Sequence, residues 1–180
     1  MTGLRIAIGV VWVVFWVYWM ISAAAAKHGT RTRRTRPPGL VLAVIVIALL
    51  RVFHAGGLAV HSPILAAVGV AVFLSGLGLA VWARVYLGRN WGMPMTLKEE
   101  PELVTSGPYR LVRHPIYSGI LLGILGTALA TNGYWAIALV LMGAYFIYSA
   151  KVEERLMTDT FPAAYPGYRA STKMLIPFVL

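Results

Sequence analysis

Five runs of apolar residues, at positions 6–26, 40–60, 63–87, 116–131 and 134–150, leave this chain few folds to adopt. A helix needs about 20 apolar residues to cross a bilayer, and the first three runs meet that length. The last two are shorter. Thr131-Asn132-Gly133 between them is a turn signal, so they read as a tight helical hairpin. Hydrophobic residues make up 59% of the 180 and charged residues 12%, against a usual apolar share of roughly 45–50%. A soluble domain of this size cannot hide so much apolar surface, whereas hydrocarbon accepts it. The predicted fold is all-α: an integral membrane protein of about five transmembrane helices. It forms a single transmembrane domain over 1–180, with two N-terminal spans in 1–62 and a core in 63–180.

The net charge is +10. In a soluble chain that would suggest nucleic acid, but here the basic residues fall between the apolar runs. Lys27, Arg31, Arg33, Arg34 and Arg36 follow the first run, and Arg89, Lys98, Arg110 and Arg113 follow the third. Lys151, Arg155, Arg169 and Lys173 follow the fifth. Five spans put all three groups on one side. The opposite loops, around His61-Ser62 and Asn132-Gly133, contain no Lys or Arg. By the positive-inside bias the basic side is cytoplasmic and the N-terminus outside. No nucleic-acid partner is expected; the bilayer is. The first run is longer than a signal-peptide core and reads as a span. Its Trp12, Trp16, Tyr18 and Trp19 suit a membrane interface. The absence of cysteine excludes disulfides, thiolate metal sites and a thiol nucleophile.

Chemistry concentrates in three places. In the first, Ser106-Gly107-Pro108 is a turn, and Pro115 suits the first position of the fourth helix. His114 then caps that helix. Its free N–H groups, beside Arg110 and Arg113, suit a carboxylate or phosphate, and Tyr117 lies one turn on. A basic, aromatic interfacial anchor explains the same spacing. The second place is Glu153-Glu154, at the end of the fifth run. Adjacent helical residues point about 100° apart, so one acid is expected to face the fold and the other water or Arg155. These are solvated helix-end charges or carboxylates for a cationic ligand. The third is the tail, Phe161 to Lys173 and the apolar end, which alone reads as an amphipathic segment lying on the membrane.

Elsewhere, Arg51 and His54 interrupt the second run near its end, where Arg can snorkel. Gly76 and Gly78 suit close helix packing. Four scattered histidines, 28, 54, 61 and 114, offer no metal-ligand spacing, so no metal is expected. No strand–glycine loop–helix unit and no Ser/His/Asp arrangement is evident.

Taken together, Leu87-Gly88-Arg89-Asn90-Trp91, the segment from Leu103 through Gly107-Pro108-Tyr109-Arg110 and Arg113-His114-Pro115-Ile116-Tyr117-Ser118-Gly119, then Glu153-Glu154-Arg155-Leu156, Phe161, Tyr165, Tyr168 and Pro177 resemble the isoprenylcysteine carboxyl methyltransferase family. The likeness covers roughly residues 76–178. More loosely it extends to phospholipid N-methyltransferases and to membrane sterol reductases. It implies that 63–180 is a methyltransferase core with a cytoplasmic cofactor site, using S-adenosylmethionine on a lipophilic acceptor. It also implies that Tyr109, Arg113, His114, Tyr117, Gly119, Glu153 and Glu154 bind the cofactor. A carboxylate acceptor, such as that of a prenylated cysteine, is already ionised and needs a cation to steer it; Arg169 and Lys173 are the catalytic candidates. Tyr165-Pro166-Gly167-Tyr168 departs from the family, whose members often carry an acid between the two tyrosines. That leaves a lipophilic acid, amine or phenol open as the acceptor. An NADPH-dependent membrane reductase and a non-enzymatic membrane subunit are the competing readings. The expected location is a prokaryotic plasma membrane.

Overall fold

The computed structural model describes residues 2–24, 29–31, 58–91, 96–98 and 102–179. Helix α1 is Thr2–Ala24, α2 Pro63–Leu87, α3 Pro115–Ala130, α4 Trp135–Thr160 and α5 Tyr165–Ser171. Short 3-10 turns occupy Gly88–Asn90 and Gly107–Arg110. The strands β1 (Gly29–Arg31) and β2 (Thr96–Lys98) form one short antiparallel pair. Residues 2–22, α2 and α4 are long and apolar enough to cross a membrane, and α3 is a shorter apolar helix. The expected second span, with Arg51 and His54, lies outside the described residues except for positions 58–60.

Local chemistry accounts for the helix ends. Ser62 caps α2 by accepting the Leu65 N–H at 3.3 Å, and Pro63 follows at the first helical position. Gly88 stops α2 with a φ of 55°, which glycine adopts without strain. Between α3 and α4, the Asn132 side chain accepts the Tyr134 N–H at 2.9 Å, closing the hairpin turn. As the sequence predicted, α4 then continues past its apolar run, through Glu153 and Glu154 to Thr160.

The core is a glycine seam between α2 and α3. A Cβ built on Gly126 would stand 2.3 Å from the Phe73 backbone nitrogen, and one on Gly76 would stand 2.5 Å from that of Gly123. The two backbones therefore touch, with Gly69, Gly76 and Ala80 facing Gly119, Gly123 and Gly126. In a membrane, where apolar side chains gain nothing by leaving lipid, such close approach is what holds helices together. Gly76 takes the packing role expected of it. At Gly78, no described residue lies within 4 Å of a Cβ placed there.

Helix α1 packs on this pair through aromatic rings. Trp12 donates its indole N–H to Thr127 Oγ1 at 3.1 Å and lies 5.6 Å from the Phe73 ring, while Trp19 meets Trp91 edge-on at 5.7 Å. Of the aromatics expected at the interface, Trp12 and Trp19 turn into the bundle instead, while Trp16 is exposed. An indole N–H in an apolar layer needs an acceptor, and buried Thr127 supplies one.

At one end of the bundle Arg5 reaches the Thr131 carbonyl at 3.5 Å, and Val60 and Gly133 exchange backbone hydrogen bonds with Thr131 and Leu58. At the other end lie the end of α2, the start of α3, the polar extension of α4 and the tail. All three chemically marked segments therefore share one end.

Candidate active site

The site grows from the segment between Gly107 and the start of α3. Gly107 turns the chain with a φ of 58°, and a Cβ there would meet the Tyr86 ring at 2.6 Å. The turn buries Tyr109 and delivers Arg113 and His114 to the head of α3. Helix α4 lies alongside and carries Glu153 and Glu154 past the apolar layer.

The expectation that one acid faces away is corrected here, because both converge on His114. Glu153 Oε2 lies 3.4 Å from Nδ1, and Glu154 Oε1 lies 3.5 Å from Nε2. The two carboxylates flank one imidazole from its two nitrogens, which the length of the glutamate side chain permits despite the 100° between adjacent positions. Glu153 also accepts the Tyr117 hydroxyl at 2.5 Å. Glu154 is only 3% exposed, receives Arg113 Nε at 2.6 Å and has Arg169 Nε at 3.4 Å. The contacts to His114 are those of ion pairs rather than aligned hydrogen bonds, and its Nε2 is buried with no hydrogen-bond partner. The His114, Tyr117 and Phe146 rings form a parallel stack, with centroids 5.4 and 4.3 Å apart.

Burial disfavours the charged form of His114, but the Glu153 and Glu154 carboxylates on either side of the ring outweigh it and raise its pKa above the usual 6.5. The folded state therefore holds the proton more tightly than the unfolded chain. That stability is fully present below about pH 6.5 and is lost as pH rises through the folded value. The thermal midpoint of the purified protein should fall on going from pH 6 to pH 9, and His114→Gln should flatten this slope; an equal slope in both proteins would remove His114 as its source.

The tail is docked, not laid on the membrane. Arg113 and His114 donate their backbone N–H groups to Lys173 O at 2.8 Å and Met174 O at 3.0 Å. The Ser118 hydroxyl meets Leu175 O at 2.5 Å. The Arg113 guanidinium reaches Arg169 O at 3.1 Å and also Thr172 O. Tyr168 donates to Tyr109 O at 2.7 Å. Burial pushes the Tyr168 hydroxyl up to about 12, against the pull of the Arg113 guanidinium and Thr172, so it remains a neutral donor. His114 occupies the N-cap position without a side-chain capping bond. The start of α3, read from sequence as open to an anion, is approached by tail carbonyls instead.

Tyr109, Arg113, His114, Tyr117, Glu153 and Glu154 are thus gathered in one place, whereas Gly119 lies apart, in the seam against Gly76 and Ala80. Arg169 reaches Glu154 with its side chain 59% exposed, and Lys173 joins through its backbone with its side chain at the surface. Arg110 is exposed. Ser118, quoted only within its motif, and Phe146 were given no role from sequence, though each lies on a predicted helix at a spacing that marks it: Ser118 one turn after His114, Phe146 two turns before Glu153.

A donor bearing an ammonium, a carboxylate, a sulfonium and an adenine fits these groups. Glu153 and Glu154 suit its cationic end, and the ring stack provides apolar faces. Arg113 suits a carboxylate, although its Nε and one terminal nitrogen are already engaged.

Fold and site together define a helical membrane core in which a basic–aromatic helix head meets paired acids. The phospholipid methyltransferase family model matches residues 64–164, more than half of the chain, and the protein belongs to that family. Among curated relatives, a cobalt-zinc-cadmium resistance protein of Cupriavidus metallidurans is 33% identical over 60% of this chain and 51% of its own length. A methanethiol S-methyltransferase of a Pseudomonas strain is 29% identical over 60% of this chain and 45% of its own length. A protein-S-isoprenylcysteine O-methyltransferase of Arabidopsis thaliana is 30% identical over 62% of this chain and 58% of its own length. The chain spans about half the length of the curated relatives it matches.

Proposed function

We propose that the protein is a membrane-embedded methyltransferase that uses S-adenosylmethionine to methylate a lipophilic acceptor, a carboxylate such as that of a prenylated cysteine. The observation that carries this reading is the convergence of Glu153 and Glu154 on His114 beneath a docked tail. Paired acids in a recess suit a cationic donor; the phosphates of NADPH would meet repulsion there. The donor supplies an electrophilic methyl group. The work of the chain is then to position and stabilise charge. Glu153 and Glu154 hold the cationic end, Tyr109, Tyr117 and His114 line the recess, and Arg113 locks the tail over it. Arg169 and Lys173, at the rim, steer the anionic acceptor. The acceptor needs no strong base because it is already ionised. The basic end faces the cytoplasm of a prokaryotic cell, by the loop charges.

Calorimetric titration of the detergent-purified chain with S-adenosylmethionine, S-adenosylhomocysteine and NADPH tests the donor. Binding of the first two without the third is expected; NADPH binding alone would transfer the site to the reductase reading. Relatives named for an isoprenylcysteine and for methanethiol differ in acceptor. Methyl transfer to a prenylated cysteine, to phosphatidylethanolamine and to methanethiol should therefore be measured side by side, and the first is expected to dominate.

A further inference from the structure

Two arginines are largely withdrawn from solvent at the site end of the bundle, and among the described residues only one has an acidic partner. Arg113 is held by Glu154. Arg84, in the last turn of α2, is 5% exposed, and none of the ion pairs among the described residues includes it. It donates to Ser22 O at 2.6 Å and Gly88 O at 2.8 Å, and its guanidinium carbon lies 4.5 Å from the Trp91 ring centroid. A guanidinium has five N–H donors, and here the Nε is buried without a partner.

Two carbonyls and an aromatic face soften the cost of this charge without neutralising it. Ionisable groups at such a depth are expensive and are usually paired or functional. The surroundings are apolar and aromatic: Trp91 packs against Trp19, and Tyr18 packs against Trp19 in turn. An anion able to enter such a place has to be carried on an apolar chain. The position also bears on the chemistry. The Tyr109 hydroxyl lies 3.4 Å from the carbonyl of Ala83, the residue preceding Arg84, while the Tyr109 carbonyl is held by Tyr168 of the tail. Tyr109 therefore links the turn that carries Arg84 to the tail beside the paired acids.

We propose that Arg84, backed by Trp91, is the subsite for an oxyanion borne on an apolar chain, either the acceptor's carboxylate or the phosphate of a lipid headgroup. The inference rests on the methyltransferase reading for its link to catalysis. Its charge polarity is simple: acids for the donor's cation, Arg84 for the anion that meets it. Arg169 and Lys173, one leaning on Glu154 and the other at the surface, then act at entry.

The test is equilibrium binding to the full chain, with S-adenosylhomocysteine present, of N-acetyl-S-farnesylcysteine, its methyl ester and dioctanoyl phosphatidic acid. The wild type should prefer the free acid to the ester by roughly tenfold or more, as expected for a charged hydrogen bond. Arg84→Gln should lose that preference while keeping its affinity for S-adenosylhomocysteine, and Lys151→Gln, at an exposed position, should change neither. Preference for phosphatidic acid, lost in the same variant, would assign the oxyanion to a lipid headgroup. An acid preference that survives Arg84→Gln, or no preference in the wild type, overturns the proposal. Absence of S-adenosylhomocysteine binding in the wild type is a separate result and strikes the methyltransferase reading instead. Should Arg84→Gln not fold, ¹⁵N-arginine labelling decides. The Nε–H resonance missing from Arg84→Lys should shift in the wild type with the acid and not the ester, and a resonance that stays still for both would equally overturn it.

Discussion

Glu154→Gln is expected to weaken S-adenosylhomocysteine binding by on the order of 100-fold and to lower stability by about 3–5 kcal/mol, the cost of stranding a buried charge. The substitution keeps the size of the side chain and removes its charge. Arg113, 2.6 Å away, would lose its counter-ion, and Arg169 would lose the group that holds it at the rim. The same Arg113 binds the carbonyls of Arg169 and Thr172, so the tail should loosen with the acid. Calorimetry on the purified variant reads the first effect, and hydrogen exchange over 169–175 reads the second. Unchanged affinity in Glu154→Gln would remove Glu154 from the donor site. Glu153→Gln should have a smaller effect on stability, because Glu153 is more exposed and is supported by the Tyr117 hydroxyl.

Gly126→Val should be the most damaging substitution in the membrane layer. A Cβ at this position would stand 2.3 Å from Phe73 N, 2.6 Å from Gly69 O and 2.6 Å from Phe73 Cα. All three are backbone atoms, which cannot swing aside as a flexible side chain would. The helices would have to separate along the whole seam, with the loss expected to exceed about 3 kcal/mol, at the upper end of overpacking costs. The thermal midpoint in detergent measures it. Gly78→Val, on the same helix but with no described residue against it, is the control and should leave the midpoint nearly unchanged. Equal effects at both positions would mean that the seam is not what holds α2 to α3.

Much of the architecture is legible in the chain because a bilayer makes a simple demand. Each crossing needs a long apolar run, and runs 6–26, 63–87 and 134–150 became α1, α2 and α4 for that reason. The hairpin turn at Asn132 and the start of α3 at Pro115 are equally local, since each depends on the backbone chemistry of one or two residues. The site residues could be named because they cluster in short motifs on predicted helix ends. What the motifs could not convey was direction. Hydropathy does not separate Gly76, which touches Gly123, from Gly78, which meets no described residue, nor Trp12 inside the bundle from Trp16 outside it. Arg84 stayed hidden inside an apolar run, where an arginine near a helix end reads as a snorkelling side chain until its burial is known.

The sequence by itself determined that this is an all-α membrane protein, that its polar chemistry collects at one end, and which segments carry that chemistry. These follow from run length, loop charge and local helix signals, all of which act over a few residues. Only the tertiary structure decided that Glu153 and Glu154 both turn to His114, that the tail folds back onto the head of α3, and that Arg113 is paired with an acid while Arg84, among the described residues, is not. Each of these depends on contacts between residues tens of positions apart, set by how closely the glycine seam lets the helices approach.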